Sequence, residues 1–515
     1  MAQATVGGNT VPERGRIRRR SRTQSTAPII IAGLKREIPT YDIVSEEGLD
    51  IIEHRTDEIL QEVGVEFRGD DVALEIWKQA GADVKGQRVR FDKGLVRSLL
   101  KTVPSSFVMH GRNPAKSARI GRNHLVFVPA YGSPFVSDLD QGRRYGTIKD
   151  FDNLVKLAYS SPWIHHSGGT VCEPVDQPVN KRHLDMVYAH INYSDMPFMG
   201  SVTTRDRALD SIEMAKILFG QKYTDENCVI SGNINMNSPL VYDEAMSGAL
   251  RAYAQANQCP VVVPFVLSGA TGPVTIAGSI AQGLAEVMVG VALGQLVRPG
   301  SPAIFGNFTT TVNLRAGSPS FGTAESAAAS YVVGQIARRF DVPLRCSGGF
   351  TSSQCVDAQS TNESVNSLIA AVLCGSHFVL HAAGWMESAL TVSYEKFVID
   401  ADFLGALHKF VKGVSLEDEQ FAGGAFAEVG PGNHFFGSTH TLANYENAFY
   451  ESELFSTLPY EQWEEEGSLD IAQRANLKWK QMLKDYQKPE LDPGVDEELQ
   501  AFIQRRKSEM PDIWH

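Results

Sequence analysis

Among the 515 residues no two cysteines are spaced C-x-x-C; the six thiols, at 172, 228, 259, 346, 355 and 374, are scattered, several of them in apolar runs. That usage fits buried thiols in a reducing compartment and argues against a disulfide framework or a structural zinc site. Basic charge is also short: the formal net charge is −12. A nucleic-acid partner is therefore not expected, because neutralising phosphates calls for a basic surface. The chain lacks any uncharged apolar stretch of 18 residues or more with the flanks of a membrane span, and no apolar core follows the basic N-terminal block. These absences predict a soluble, cytoplasmic protein without a membrane partner. The glycine-rich stretches Gly269-Ala-Thr-Gly272 and Gly348-Gly349 match neither a dinucleotide turn nor a P-loop.

What is present is a rhythm. From Ile148 onwards short apolar runs, at 163–171, 197–202, 228–234, 260–267, 302–308, 342–346 and 378–382, alternate with helical spacing at 182–193, 206–219, 242–256, 276–296, 320–340 and 365–373. Seven strand-then-helix units with near-continuously apolar strands are the pattern of a parallel sheet buried on both faces. The predicted fold is α/β, a TIM (β/α)8 barrel, with either 125–130 or 425–429 supplying the eighth strand; a doubly wound open sheet is the alternative. Residues 1–29, with Arg14-Gly-Arg-Ile-Arg-Arg-Arg-Ser-Arg22, read as a disordered basic tail. Residues 30–150 read as an α+β lead-in packed on the barrel, 151–455 as the barrel with a glycine-rich loop, and 456–515 as a C-terminal helical extension wrapping the barrel or a sister subunit of a homo-oligomer.

In a barrel the chemistry lies just past the C-terminal ends of the strands. Those positions hold His165 and His166, Asn233 and Asn235, Thr309, Arg345, Ser347, His381 and Trp385, a set rich in hydroxyls, amides and aromatics. No lysine stands there for Schiff-base chemistry. Glu387 and Glu395 share one segment, so no carboxylate pair suits glycoside hydrolysis. His165 and His166 are adjacent, so in a strand their side chains point to opposite faces and no metal-binding pair results. No metal site is expected. The stretch from Ser376 to Phe397 supplies one wall of the mouth, and Tyr131, Phe308, Phe350, Trp385 and Tyr394 offer aromatic faces that suit a quaternary ammonium. Arg345 reads either as the receptor for a substrate carboxylate or as half of a structural salt bridge with Asp357 or Glu387. His381 reads as a group orienting the same carboxylate, as a proton donor, or as a core histidine.

Three motifs then carry a resemblance: Gly348-Gly-Phe-Thr-Ser-Ser-Gln-Cys-Val-Asp-Ala-Gln359, the run from Glu387 to Asp400 with its Ser-Tyr-Glu-Lys-Phe, and Gly430-Pro-Gly-Asn-His-Phe-Phe-Gly-Ser-Thr-His-Thr441. Together they resemble the trimethylamine methyltransferase family of corrinoid-dependent enzymes, from about residue 30 to the C-terminus. The resemblance implies a TIM barrel that holds a methylated amine and presents a methyl group to Co(I) of a corrinoid (cobalamin) carried by a separate protein, with no cofactor tightly bound by this chain. Archaeal trimethylamine members carry pyrrolysine in the region matching Thr351 to Gln359, where this sequence has standard residues only. That departure points to the non-pyrrolysine branch, which demethylates quaternary amines such as glycine betaine. It assigns Tyr131, Phe350 and Trp385 to the cation, Arg345 and His381 to the carboxylate, and Gln354 and Asp357 to the place of pyrrolysine. Gly430, Gly432, Asn433, His434 and His440 are assigned to corrinoid contact. Trimethylamine demethylation, a TIM-barrel lyase or synthase, and a non-catalytic quaternary-amine binder are the alternatives.

Overall fold

A computed structural model describes residues 31–514; the expected basic tail lies outside the described residues. Strand β1 (His124–Phe127) is followed by β2 (Phe198–Met199), β3 (Ile230–Met236), β4 (Cys259–Pro264), β5 (Ile304–Gly306), β6 (Leu344–Ser347) and β7 (Phe378–Leu380). They pair in parallel from β2 through β7 in order, and β7 pairs in turn with β1. The sheet is curled, and residues 164–168 bond to both β1 and the chain around β2. His165 N donates to Phe127 O (3.0 Å), Ser167 N to Pro197 O (3.0 Å), and Met199 N to Gly168 O (2.9 Å).

Side chains alternate across this curl as the pleat requires. Val126, Val128, Met199, Val261, Val263, Ile304, Phe378 and Leu380 form an inner cluster. Phe127, Val262, Phe305 and Val379 join the outer layer beneath the helices. An antiparallel hairpin, Ser106–Met109 with Ala118–Gly121, adds Met109, Ala118 and Ile120 to the inner cluster, and His110 N donates to Cys228 O at the start of β3. The bore is thereby floored at the end where the strands begin.

The outer helices are α1 (Ile148–Ser160), α2 (Arg182–Tyr193), α3 (Arg205–Phe219), α4 (Glu244–Gln255), α5 (Ile276–Val297), α6 (Ala324–Arg339), α7 (Ala358–Leu373) and α8 (Tyr394–Phe410). Several start where the sequence supplies a cap: Thr147, Thr204, Asp243, Thr323, Asp357 and Ser393 each accept a backbone N–H of the first turn. Among the described residues, α5 alone is long and apolar enough to cross a membrane, but 83% of its apolar window is buried. It packs against α4 and the helices Glu46–Glu58 and Leu95–Leu100. Mostly apolar and mostly buried, it is a core helix of this fold.

Of the two candidates for an eighth strand, residues 125–130 contribute to β1, whereas 425–429 lie in the helix Gly423–Val429. Beyond α8 an exposed arm runs to Phe449, and the helix Ile471–Asp485 then packs on α8 and α1. Helix Pro493–Ser508 ties to α3 through Arg506 on Asp210 and to α2 through Lys507 on Asp185.

Candidate functional site

The segments leaving β5, β6 and β7 bring five rings together. His381 and Trp385 stack at 4.1 Å with 4° between their planes; Phe350 lies 4.6 Å from Trp385 and 5.2 Å from His381; Phe308 lies 5.0 Å from Phe350, and Phe321 5.4 Å from Trp385. Rings this close form one filled aromatic wall rather than separated faces of a cage. Phe308 is only half-buried and packs against the inner cluster of the bore. The Trp385 Nε1–H donates to Ser133 Oγ (2.8 Å), two residues beyond the half-buried Tyr131. Burial pushes the Tyr131 hydroxyl up to about 12, so it is a neutral phenol.

Arg345 stands beneath this wall, in β6, with no exposed surface. Its Nη1 donates to Asn307 O (2.9 Å), its Nη2 lies 3.2 Å from His381 Nδ1, and its guanidinium carbon sits 5.2 Å from the Phe308 ring centre. Its Nε has no partner, and among the described residues no carboxylate pairs with it. The salt-bridge reading fails because both proposed acids are otherwise engaged. Asp357 caps α7, accepting from Ser360 N (2.8 Å) and Ser353 Oγ (3.1 Å); Glu387 pairs with Arg143 (2.7 Å) and accepts from Thr391. Burial without a counter-ion lowers the Arg345 pKa to about 9, which leaves it cationic at neutral pH.

Arginine nitrogens only donate, so His381 accepts at Nδ1 and carries its proton on Nε2. Burial, with Arg345 alongside, holds its pKa well below the usual histidine range. A neutral imidazole of this kind gives a hydrogen bond from Nε2, which suits orienting a carboxylate. The residue has φ of +62°, a left-handed conformation that a non-glycine holds only where its surroundings impose it.

Deeper polar atoms share the bore. His166 faces Phe378 (5.6 Å) and accepts Gly168 N at Nδ1, leaving a buried Nε2–H without a partner. His165 points outward against Phe127 and His408, so the adjacent pair divides between the two faces as alternation predicts. Ser231 and Asn233 alternate with the outward Ile230 and Ile234, and Ser347 with Cys346; Ser231 Oγ, Asn233 Oδ1 and Ser347 Oγ are likewise buried and unpartnered within the protein. Buried polar atoms are rarely left so, which marks the bore as a place for a polar guest or water.

Residues 12–511 match the family model described as trimethylamine methyltransferase (MTTB). The chain belongs to the trimethylamine methyltransferase family. It is 42% identical over 474 residues to the glycine betaine methyltransferase of Desulfitobacterium hafniense (strain Y51), covering 92% of this chain and 98% of that one. It is 27% identical to the proline betaine:corrinoid methyltransferase of Eubacterium limosum, covering 90% and 97%. A trimethylamine methyltransferase of D. hafniense (strain DSM 10664 / DCB-2) is 25% identical over 90% and 94%.

Within this member of the family, the segment from Thr351 to Asp357 is a knitted loop. Glu363 accepts from Thr351 Oγ1 (2.6 Å) and Ser352 N (2.7 Å), Ser353 O accepts from Glu387 N (2.9 Å), and Thr351 O accepts from Ser388 N (3.2 Å). Asp357 serves the helix cap, and the exposed Gln354 amide donates to Ser352 O (3.2 Å), so neither is aimed into the bore by these contacts. The loop after β7 rests on α8, where Gly384 N donates to Asp400 Oδ2 (2.9 Å) and the buried Lys396 Nζ meets Asp400 at 2.5 Å.

Gly430, Gly432, Asn433, His434 and His440 lie on the arm. Its outward root is Val411, whose carbonyl accepts from Glu37 N beside the pairing of Leu34 and Lys35 with the start of β1. It returns at Tyr450, whose ring meets Trp163 (5.9 Å) just ahead of residues 164–168. Both roots are at the end where the strands begin, opposite the mouth, and the contacts of Asn433, His434 and His440 are with the arm itself. Phe321 and Ser133 were missed by sequence reasoning. Phe321 falls inside the stretch predicted as helix 320–340, although Thr323 with Ser326 spells the true N-terminus three residues later.

Proposed function

We propose that this protein transfers a methyl group from a quaternary amine that also bears a carboxylate, of the glycine betaine type, to Co(I) of a corrinoid on a separate protein. The observation that carries the reading is Arg345, a fully buried guanidinium without a carboxylate partner, next to an aromatic wall and a neutral His381 Nε2–H. An uncompensated buried cation is costly, and a carboxylate guest offsets that cost through charge-assisted hydrogen bonds. The relative at 42% identity is named for glycine betaine, which supports the same substrate class. The half-buried Tyr131 and Phe308 then face the ammonium end, each contributing roughly 0.5–2 kcal/mol, with the buried Phe350 and Trp385 packed behind them.

The chemistry asks little else of this chain. When the N–CH3 bond breaks, its electron pair stays on nitrogen and a neutral tertiary amine leaves, so no general acid is required; the methyl carbon takes its new pair from cobalt. His381 and Arg345 fix the carboxylate, the bore aligns the reacting bond, and the rings keep water away. We further propose that the curled sheet closes as a TIM barrel, with residues 164–168 as the eighth strand. The hydrogen bonds on both sides of that segment support the closure. Trimethylamine is the second reading; having no carboxylate, it leaves Arg345 without a counter-ion.

The test is to incubate the protein with glycine betaine, a cognate corrinoid protein and a reductant, and to follow corrinoid methylation by absorbance. Methylation with betaine that is lost in Arg345→Gln is expected; none with any quaternary amine would overturn the transferase reading. Calorimetry without corrinoid separates a catalyst from a mere binder.

A further inference from the structure

The arm after α8 is an unusual surface. Apart from Tyr445, ten large apolar side chains between Val414 and Tyr460 are at least 40% exposed, Phe436 and Phe449 at 83% each. At about 150–250 Å² per large aromatic ring, the summed exposure is roughly 1,000 Å² of apolar side chain, comparable with the about 800 Å² per partner of a stable interface. The arm nevertheless has its own structure. Glu428 accepts from Thr439 N (3.0 Å), joining the helices Gly423–Val429 and Thr439–Asn444, and the Phe426 and Phe435 rings meet edge to face at 5.4 Å. Asn433 Nδ2 donates to Val429 O and Asn444 Nδ2 to His440 O, so these polar groups also find their partners inside the arm.

We propose that this arm is a clasp that seats on the body of a second copy of the chain. Three observations favour that occupant. The area matches a permanent interface, whereas a methyl carrier has to leave after each turnover. The arm's roots lie at the end of the sheet opposite the mouth, away from a carrier docking over the bore. Finally, residues 413–460 hold seven carboxylates and no lysine or arginine, a charge that anionic lipid repels. The same charge keeps two arms from lying against each other, so each meets a different face of its neighbour.

Sedimentation velocity of the full chain tests this. Wild type is expected at a multiple of 56.4 kDa, and Phe436→Ser with Phe449→Ser is expected to weaken association by roughly 100-fold while betaine binding by calorimetry stays unchanged. Wild type sedimenting as a single chain at micromolar concentration, or a double variant that keeps its mass, overturns the proposal. If the double variant does not fold, hydrogen exchange of 414–460 in wild type decides instead. Protection that rises with protein concentration supports the clasp; protection appearing only on adding corrinoid protein or vesicles refutes it.

Discussion

At the residue scale the informative group is a charge that the fold leaves unanswered. Burying Arg345 without an acid works against stability, and the groups around it show why that is tolerated: a carbonyl, a neutral imidazole and a ring face each satisfy part of the guanidinium, while Nε remains free. The charged form is the one that binds a carboxylate. Because burial lowers its pKa to about 9, betaine affinity should be level near neutral pH and fall as pH rises through about 9. Lowering the pH from 7 to 6 should change little, since His381 already titrates well below that range. Calorimetry across pH 6–10 reads both limbs. Stability moves the other way. The unfolded chain keeps the arginine proton to much higher pH, so the penalty for burying the cation eases above about pH 9. Trp385→Phe keeps the stack on His381 but removes the indole donor to Ser133, and it should cost about 1 kcal/mol in denaturant unfolding.

At the element scale, the loop after β7 depends on α8. Lys396 and Asp400, one turn apart and almost fully buried, pair with each other while Asp400 holds Gly384 N. Asp400→Asn leaves the ammonium without its counter-charge and should destabilise the fold by about 3–5 kcal/mol, measured by urea unfolding. The helix spacing, caps and apolar strands that set this framework are legible in the chain; α2, predicted at 182–193, begins and ends there. The loops are less so. Phe321 was hidden by extending apolar spacing past the Thr323 cap, and Asp357, which the resemblance assigned to the place of pyrrolysine, caps α7. Gly405 shows the same limit: a Cβ there would come within 2.5 Å of the Tyr450 ring, which returns from the far end of the arm. Gly405→Ala should therefore unseat Tyr450 and its hydrogen bond to Asp402 O, at a cost of about 1–3 kcal/mol, read as earlier proteolysis of the arm.

At the scale of the whole molecule, the parallel sheet gathers residues from four distant segments. Tyr131, Phe308, Arg345 and His381 are more than 200 residues apart at the extremes and share one bore because each follows or lies within a strand of the same curl. The arm leaves from the other end, and the glycines and histidines that read as corrinoid contacts leave with it. The sequence by itself determined the α/β pattern, most strand and helix positions, the family, and the choice of Arg345, His381 and Trp385 as a group, because periodicity, caps and motif identity are local properties. Only the tertiary structure decided that Arg345 has no acid partner among the described residues, that the rings pack into a wall, that burial keeps His381 neutral, and that the arm carrying the glycine-rich motif is rooted at the end opposite the mouth. Each of those depends on which side chains meet across the sheet and how much water remains between them, and spacing along the chain carries neither.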